Sequence, residues 1–157
     1  MAKSNVRLDY DELVKLKEQI EKFGESEQVN QFLTSCAKEL AARLLSKVIK
    51  RTPVGQYEAG SGKTGGTLRR GWTAGQNSNA TSYANSLSVN KVGSDYIIEI
   101  INPVEYASYV EFGHRTRNHK GWVEGRFMLT ISEDEIRKSA PRILEKKLET
   151  YLKGCFK

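Results

Sequence analysis

A long apolar stripe between residues 26 and 50 constrains the fold more than any other feature of this sequence. Apolar residues recur there at the three- and four-residue spacing of an α-helix. The stripe consists of Val29, Leu33, Cys36, Leu40, Leu44 and Val48, widened by Phe32, Ala37, Ala41 and Leu45. Basic residues in the last turns and Pro53 just beyond them predict that this core helix ends near Arg51. A shorter amphipathic pattern over about 9–23 predicts another helix before it.

The C-terminal part of the chain also has helical spacing, but Pro141 interrupts it. Proline is tolerated in the first turn of a helix and is costly in the interior. We therefore predict two consecutive helices, at about 127–138 and 140–153. Ser132 and Glu135 have the spacing of a capping box in the first of them.

The middle of the chain has the pattern of a small β-sheet. Residues 68–74 and 82–90 are candidate strands, and apolar alternation predicts a third strand over 96–101. Residues 92–95 are typical of a hairpin turn. Together with the helices, this pattern predicts an α+β fold in which a small antiparallel sheet of three to four strands packs against the long core helix and the terminal helices.

The length of the chain suits a single domain over 1–157. Three segments rich in glycine or in small polar residues predict mobile loops, at about 53–66, 75–82 and 113–126. An aromatic cluster before the last loop is predicted to lie in the core, and its members are Tyr106, Tyr109, Val110 and Phe112.

The residues needed for catalysis or metal binding do not occur in the required patterns. The two histidines and two cysteines lack zinc-site spacing. The glycine-rich run at 60–66 lacks P-loop spacing and follows a predicted helix instead of a strand. Cys36 lies in the apolar stripe, which favours core packing over a nucleophilic role. We expect no catalytic residue, no metal and no cofactor.

The net charge of +6 suggests nucleic acid as a partner, but the positive charge is spread evenly along the chain. No segment of the sequence therefore has the concentrated positive charge of a basic, nucleic-acid-binding arm. The sequence also lacks a run of about 18 apolar residues that could span a bilayer, and it lacks a secretory signal, so we expect a protein made in the cytoplasm without a membrane partner.

Cations and aromatic residues cluster around two loops, a composition typical of protein interfaces and also suited to single-stranded nucleic acid. These residues are Arg69, Arg70, Trp72, Arg115, Arg117, Lys120, Trp122 and Arg126. The alternative is a solvated charged loop whose tryptophans are half-buried in the core.

Three ordered motifs resemble the gene-product-ten-like neck, or tail-completion, proteins of tailed phages. They are TPV at 52–54 with TGGTLRRGW at 64–72, YASYVEFGHRT at 106–116, and GRFML at 125–129. The sequence departs from the family pattern by roughly eight extra residues, QYEAGSGK, between the two halves of the first motif.

This resemblance implies a non-catalytic structural protein of the virion, assembled in the host cytoplasm, that forms a ring joining the head connector to the tail tube. The implied partners are copies of itself, a head connector or head-closure protein, and a tail terminator or tail tube protein. DNA would pass through the lumen without sequence-specific binding. The predicted partner interface comprises Thr67, Leu68, Arg69, Arg70, Trp72, Glu111, His114, Arg115, Arg117, Trp122 and Arg126.

A lumen that must release DNA should avoid strong phosphate contacts. We therefore expect four arginines of this interface to face mainly protein partners, namely Arg69, Arg70, Arg115 and Arg117. A nucleic-acid-binding accessory protein is the main alternative, supported by the net charge and the arginine and tryptophan loops. A hydrolase or toxin is a weaker one, because only His114, His119 and scattered carboxylates support it.

Overall fold

The computed structural model describes residues 26–155 and, before them, residues 11, 14, 15, 17 and 18. The elements from residue 26 onward are α1 (Ser26–Arg51), α2 (Thr67–Gly71), α3 (Ala80–Ser86), β1 (Asn90–Val92), β2 (Asp95–Ile97), α4 (Ala107–Phe112), β3 (Gly113–Arg115), β4 (Trp122–Glu124) and α5 (Met128–Cys155). The predicted α+β class is confirmed. Most of the predicted helix at 9–23 lies outside the described residues, and its described residues are helical.

Helix α1 is the centre of the fold. Each of the ten residues predicted to form its apolar stripe is buried, so the stripe is confirmed. Helix α5 packs along α1, and α3, α2 and β2 also contact it. Burial raises the pKa of the Cys36 thiol to about 12, so this cysteine is a core residue and not a nucleophile.

The first predicted strand, at 68–74, is wrong, because helix α2 occupies this segment. Leu68 and Trp72 are four residues apart, and both are buried. In a helix, this spacing places the two side chains on successive turns of one face, close enough to pack together. A strand would also place them on one face, but far apart along the chain. Gly66 precedes the helix in the left-handed conformation, with φ 91, which glycine adopts without strain. Its carbonyl accepts a hydrogen bond from the Arg70 amide.

The second predicted strand, at 82–90, is also wrong over most of its length, because α3 extends to Ser86. The Asn79 side chain accepts a hydrogen bond from the Ser82 amide at 2.8 Å and thereby caps the helix. The inward face of α3 and its C-terminal end pack on the core at helical spacing, through Ala80, Tyr83, Ala84 and Leu87.

The strands form two separate antiparallel hairpins in the described part of the chain, and not one continuous sheet. In β1–β2, Val92 pairs with Asp95, so the predicted turn is confirmed, with Gly93 at φ 62. The ladder ends at Ile97, but the predicted alternation continues beyond it because Ile98 and Ile100 are buried.

Helix α5 is continuous through Pro141, so the prediction of two helices is wrong. Ile136, Ala140 and Leu144 are buried on both sides of the proline. This packing stabilises one long helix despite the lost amide donor and the steric cost of proline.

The capping box predicted for the C-terminal region is also absent, because Ser132 and Glu135 lie inside α5. Ser132 Oγ donates to the Met128 carbonyl at 2.6 Å. Glu135 instead accepts from Lys47 at 2.8 Å and from Arg51 at 2.6 Å, both on α1. These two hydrogen bonds hold the pKa of Glu135 below its ordinary value.

Replacing Pro141 with alanine is expected to raise the free energy of unfolding by about 1–3 kcal/mol, because alanine restores an amide donor and removes the clash with the preceding turn. Urea unfolding followed by circular dichroism measures this change. Arg142→Ala, at the exposed neighbouring position, is the control and should change stability by no more than about 0.5 kcal/mol. A less stable Pro141→Ala variant would contradict the prediction.

Candidate partner interface

Thr52 joins the two halves of the first motif. Its side chain is fully buried, and Oγ1 donates to the Val48 carbonyl at 2.6 Å. The same oxygen accepts from Trp72 Nε1 at 2.8 Å. The Thr52 carbonyl accepts from Arg69 Nη2 at 2.7 Å and from Nε at 3.2 Å. Thr52, Arg69 and Trp72 of the motif therefore attach α2 to the end of α1 within the folded chain.

Glu111 caps the start of α5. Its carboxylate is 4% exposed and accepts from the Leu129 and Thr130 amides, each at 2.9 Å, and from Thr130 Oγ1 at 2.7 Å. The first amides of a helix have no partner within the helix, and a negative group near them is favoured by the helix dipole. The acidic residue of the second motif thus supplies the cap that the sequence prediction placed at Ser132.

Two glycines allow the β3–β4 hairpin to approach α4 closely. A Cβ at Gly125 would lie 2.3 Å from the Glu111 carbonyl oxygen, and a Cβ at Gly113, where φ is 86, would lie 2.5 Å from the Val123 carbonyl oxygen. The Arg126 amide donates to the Val110 carbonyl at 2.7 Å. The motifs at 106–116 and 125–129 therefore form one connected unit.

This unit carries most of the exposed large apolar side chains of the described residues. Seven of the ten in the described residues are Tyr106, Tyr109, Phe112, Trp122, Val123, Phe127 and Ile131. Clusters of exposed apolar side chains are typical of sites that bind another protein. This concentration marks the unit as a candidate docking surface.

The prediction that the aromatic cluster lies in the core is wrong for its three aromatic members. Tyr109 and Phe112 are 58% and 57% exposed, whereas Val110 packs against the core. Residues three apart in a helix lie on adjoining turns of one face, and Tyr106, Tyr109 and Phe112 have this spacing. The opposite face of α4 buries the small Ala107. The spacing of three indicates that these aromatic side chains share a face of α4, but it does not indicate whether that face points outward.

The predicted interface arginines divide into two classes. Arg69 is half-buried and bound to Thr52, and Arg70 donates to the Gly65 carbonyl at 3.2 Å, so both have partners within the subunit. Arg115, Arg117 and Arg126 are exposed, and within the described residues their side chains have no ion pair or hydrogen bond. We call the seven apolar side chains above, together with these three arginines, the aromatic–arginine surface.

The remaining residues of the predicted interface also fall into a buried group and an exposed or half-buried group. Leu68, Trp72 and Glu111 are buried inside the subunit, and Thr67 is exposed at the start of α2. His114 is half-buried with its ring edge-on to Tyr109, and its Nδ1 is buried without a hydrogen-bond partner. The structure places Arg115 directly opposite Trp122 in the β3–β4 hairpin, with Arg117 in the connecting loop and Arg126 just after β4.

No group of three or more histidine, cysteine, aspartate or glutamate side chains in the described residues is placed to share a metal ion. In the same part of the chain, no helix combines the length and the hydropathy that a bilayer-spanning segment requires. The exposed side chains of the aromatic–arginine surface are apolar or cationic, and both kinds are common where proteins bind one another.

A comparison with models of protein families gives a match. The family model described as "Bacteriophage HK97-gp10, putative tail-component" matches residues 14–113, which is more than half of the chain. No curated protein and no solved structure matches it. The matched region includes the Thr52 attachment and ends just after Glu111. The chain therefore belongs to the HK97-gp10-like family, whose members are structural tail components of bacteriophage particles.

Proposed function

We propose that this protein forms a homo-oligomeric ring in the neck of the particle, where it joins the head connector to the tail tube without catalysing a reaction. In such a ring, one surface of each subunit contacts a different surface of the next until rotation closes the circle. The faces of the ring would contact a head connector or head-closure protein and a tail terminator or tail tube protein. DNA would pass through the lumen without sequence-specific binding.

The aromatic–arginine surface is the observation that supports this proposal. Its five aromatic side chains are between 39% and 58% exposed. They leave about 500 Å² uncovered, if a fully exposed aromatic side chain presents roughly 200 Å². A partner in an interface of standard size contributes about 800 Å². These side chains therefore supply most of the area that one stable contact needs.

The combination Tyr109→Ser and Phe112→Ser tests the proposal. Both side chains point away from the core, so we expect the subunit to stay folded while self-association weakens at least 100-fold, as truncation of two interface anchors should do. Analytical ultracentrifugation measures the association, and circular dichroism checks the fold. Glu105→Ser, at an exposed position just before α4, is the control. Rings that assemble normally from the double variant would exclude this surface as the contact.

A nucleic-acid-binding accessory protein is the second candidate, because exposed cations lie beside exposed Trp122. Arg115, Arg117 and Lys120 are free to contact phosphates, and a base could stack on the indole. This candidate requires that purified protein retards DNA in a gel and that salt weakens the complex steeply. Retention of DNA binding in Arg115→Ala/Arg117→Ala protein would argue against this hairpin as the nucleic-acid site.

A further inference from the structure

A closed ring requires a second, different surface that covers the aromatic–arginine surface of the neighbour. Outside 106–131, the exposed large apolar side chains of the described residues are Val54, Tyr57 and Val92. Val54 lies at the start of the glycine-rich loop between α1 and α2, and Tyr57 lies within it. We propose that the segment 55–65 of one subunit, called here the glycine loop, docks on the aromatic–arginine surface of a second copy. This inference rests on the proposed ring.

The glycine loop is closed at its base. A Cβ at Gly65 would lie 2.1 Å from the Gly55 carbonyl oxygen, so the two ends of the loop approach each other as only glycine permits. Because the base attaches to α1 and α2, which the Thr52 hydrogen bonds hold together, the loop projects from a firm support.

The tip of the loop has its own contacts. The Lys63 ammonium lies 5.9 Å from the centre of the Tyr57 ring, and the Ser61 amide donates to the Glu58 carbonyl at 3.2 Å. The tip thereby presents an aromatic side chain, 53% exposed, next to an exposed carboxylate. A compact loop of this kind loses less conformational entropy on docking than an extended one.

The two surfaces are chemically complementary. Glu58 has no ion pair within the described residues, and the arginines of the aromatic–arginine surface have none either. A carboxylate can accept two parallel hydrogen bonds from a guanidinium, which gives direction as well as attraction. Tyr57 would at the same time pack against exposed aromatic rings such as Trp122. Docking would thus pair the unpaired acid of one copy with an unpaired cation of the next.

A disulfide cross-linking experiment tests this contact. One preparation of the full-length chain carries Tyr57→Cys, a second carries Trp122→Cys with a larger tag, and both carry Cys155→Ser. Cys36 stays because its thiol is buried. The two proteins are mixed at a concentration at which the chain self-associates and are then oxidised. We expect a cross-linked pair of one tagged and one untagged chain. Val92→Cys replaces Tyr57→Cys as the control, being 62% exposed at the other hairpin, and should give at least tenfold less product.

Charge reversal provides a second measurement. Glu58→Arg should weaken self-association at least tenfold, and Arg115→Glu or Arg117→Glu in the same chain should restore part of it. Rings that form without the mixed cross-link and that tolerate Glu58→Arg would overturn the docking of the loop while leaving the ring intact. A cross-link between two Tyr57→Cys chains would also overturn it, since like tips would then meet. A chain that stays monomeric at all concentrations would overturn both the loop contact and the proposed ring.

Discussion

Replacing Trp72 with alanine is expected to lower the free energy of unfolding by about 3–5 kcal/mol, the range for truncation of a large buried aromatic side chain. Trp72 is 3% exposed, and its indole donates to Thr52 Oγ1, so the substitution leaves a cavity and removes the link between α1 and α2. For a domain of this size, such a loss is a large part of the total stability. Thermal and urea unfolding of the purified subunit measure it.

The second tryptophan of the chain provides the matched control. Trp122 is 56% exposed on β4, so Trp122→Ala should change the free energy of unfolding by less than about 1 kcal/mol while weakening self-association. Trp72→Phe should lose less stability than Trp72→Ala because the ring still fills most of the space. Equal destabilisation by Trp72→Ala and Trp122→Ala would mean that the division between interior and docking surface is misplaced.

Glu111→Ala is expected to lower the free energy of unfolding by about 2–4 kcal/mol. The substitution leaves the Leu129 and Thr130 amides and the Thr130 hydroxyl without their acceptor. Thr130 is exposed, so water can replace part of what its two donors lose, whereas the buried Leu129 amide bears the full cost of about 1–3 kcal/mol. The loss should appear as fraying of α5 at its N-terminal end. Urea unfolding measures the stability, and amide hydrogen exchange at residues 129–131 locates the change.

Glu111→Gln separates the charge from the shape. The amide oxygen can still accept one hydrogen bond, but its NH₂ group faces a helix terminus that has only donors, so we expect an intermediate loss of about 1–2 kcal/mol. Glu105→Ala removes an exposed carboxylate nearby and should have little effect. If Glu111→Ala proved as stable as Glu105→Ala, the capping role would be untenable.

Both residues were predicted from the sequence as parts of a partner interface, and in the structure both are buried in the subunit. Trp72 attaches α2 to α1, and Glu111 joins α4 to α5. The motifs through which the chain resembles its family therefore include residues that build the support for the candidate interface. The exposed residues of α4 and the β3–β4 hairpin are the ones free to meet a partner.

Elements with a long or distinctive local sequence pattern were predictable. The stripe of α1 extends from Val29 to Val48, about five helical turns, which is long enough to identify a helix without ambiguity. The burial of Cys36 follows from its place in that stripe. The turn at Gly93 was predictable for the same reason, because two adjacent residues decide it.

Short segments needed the tertiary structure. Residues 68–74 contain three apolar residues and residues 82–90 contain four, too few to separate a helix period from a strand period. The contacts with α1 decide in favour of helices. Pro141 lies in one long helix because residues on both sides of it pack on α1.

The local sequence thus determined where the chain forms its main helix, its one predicted hairpin turn and its buried cysteine. The tertiary structure decided which aromatic residues face outward and which carboxylate caps α5. Glu111 and Leu129 are 18 residues apart in the chain, and no local pattern connects them. Inside and outside are properties of the packed subunit, because only neighbours brought together by folding can remove a side chain from water.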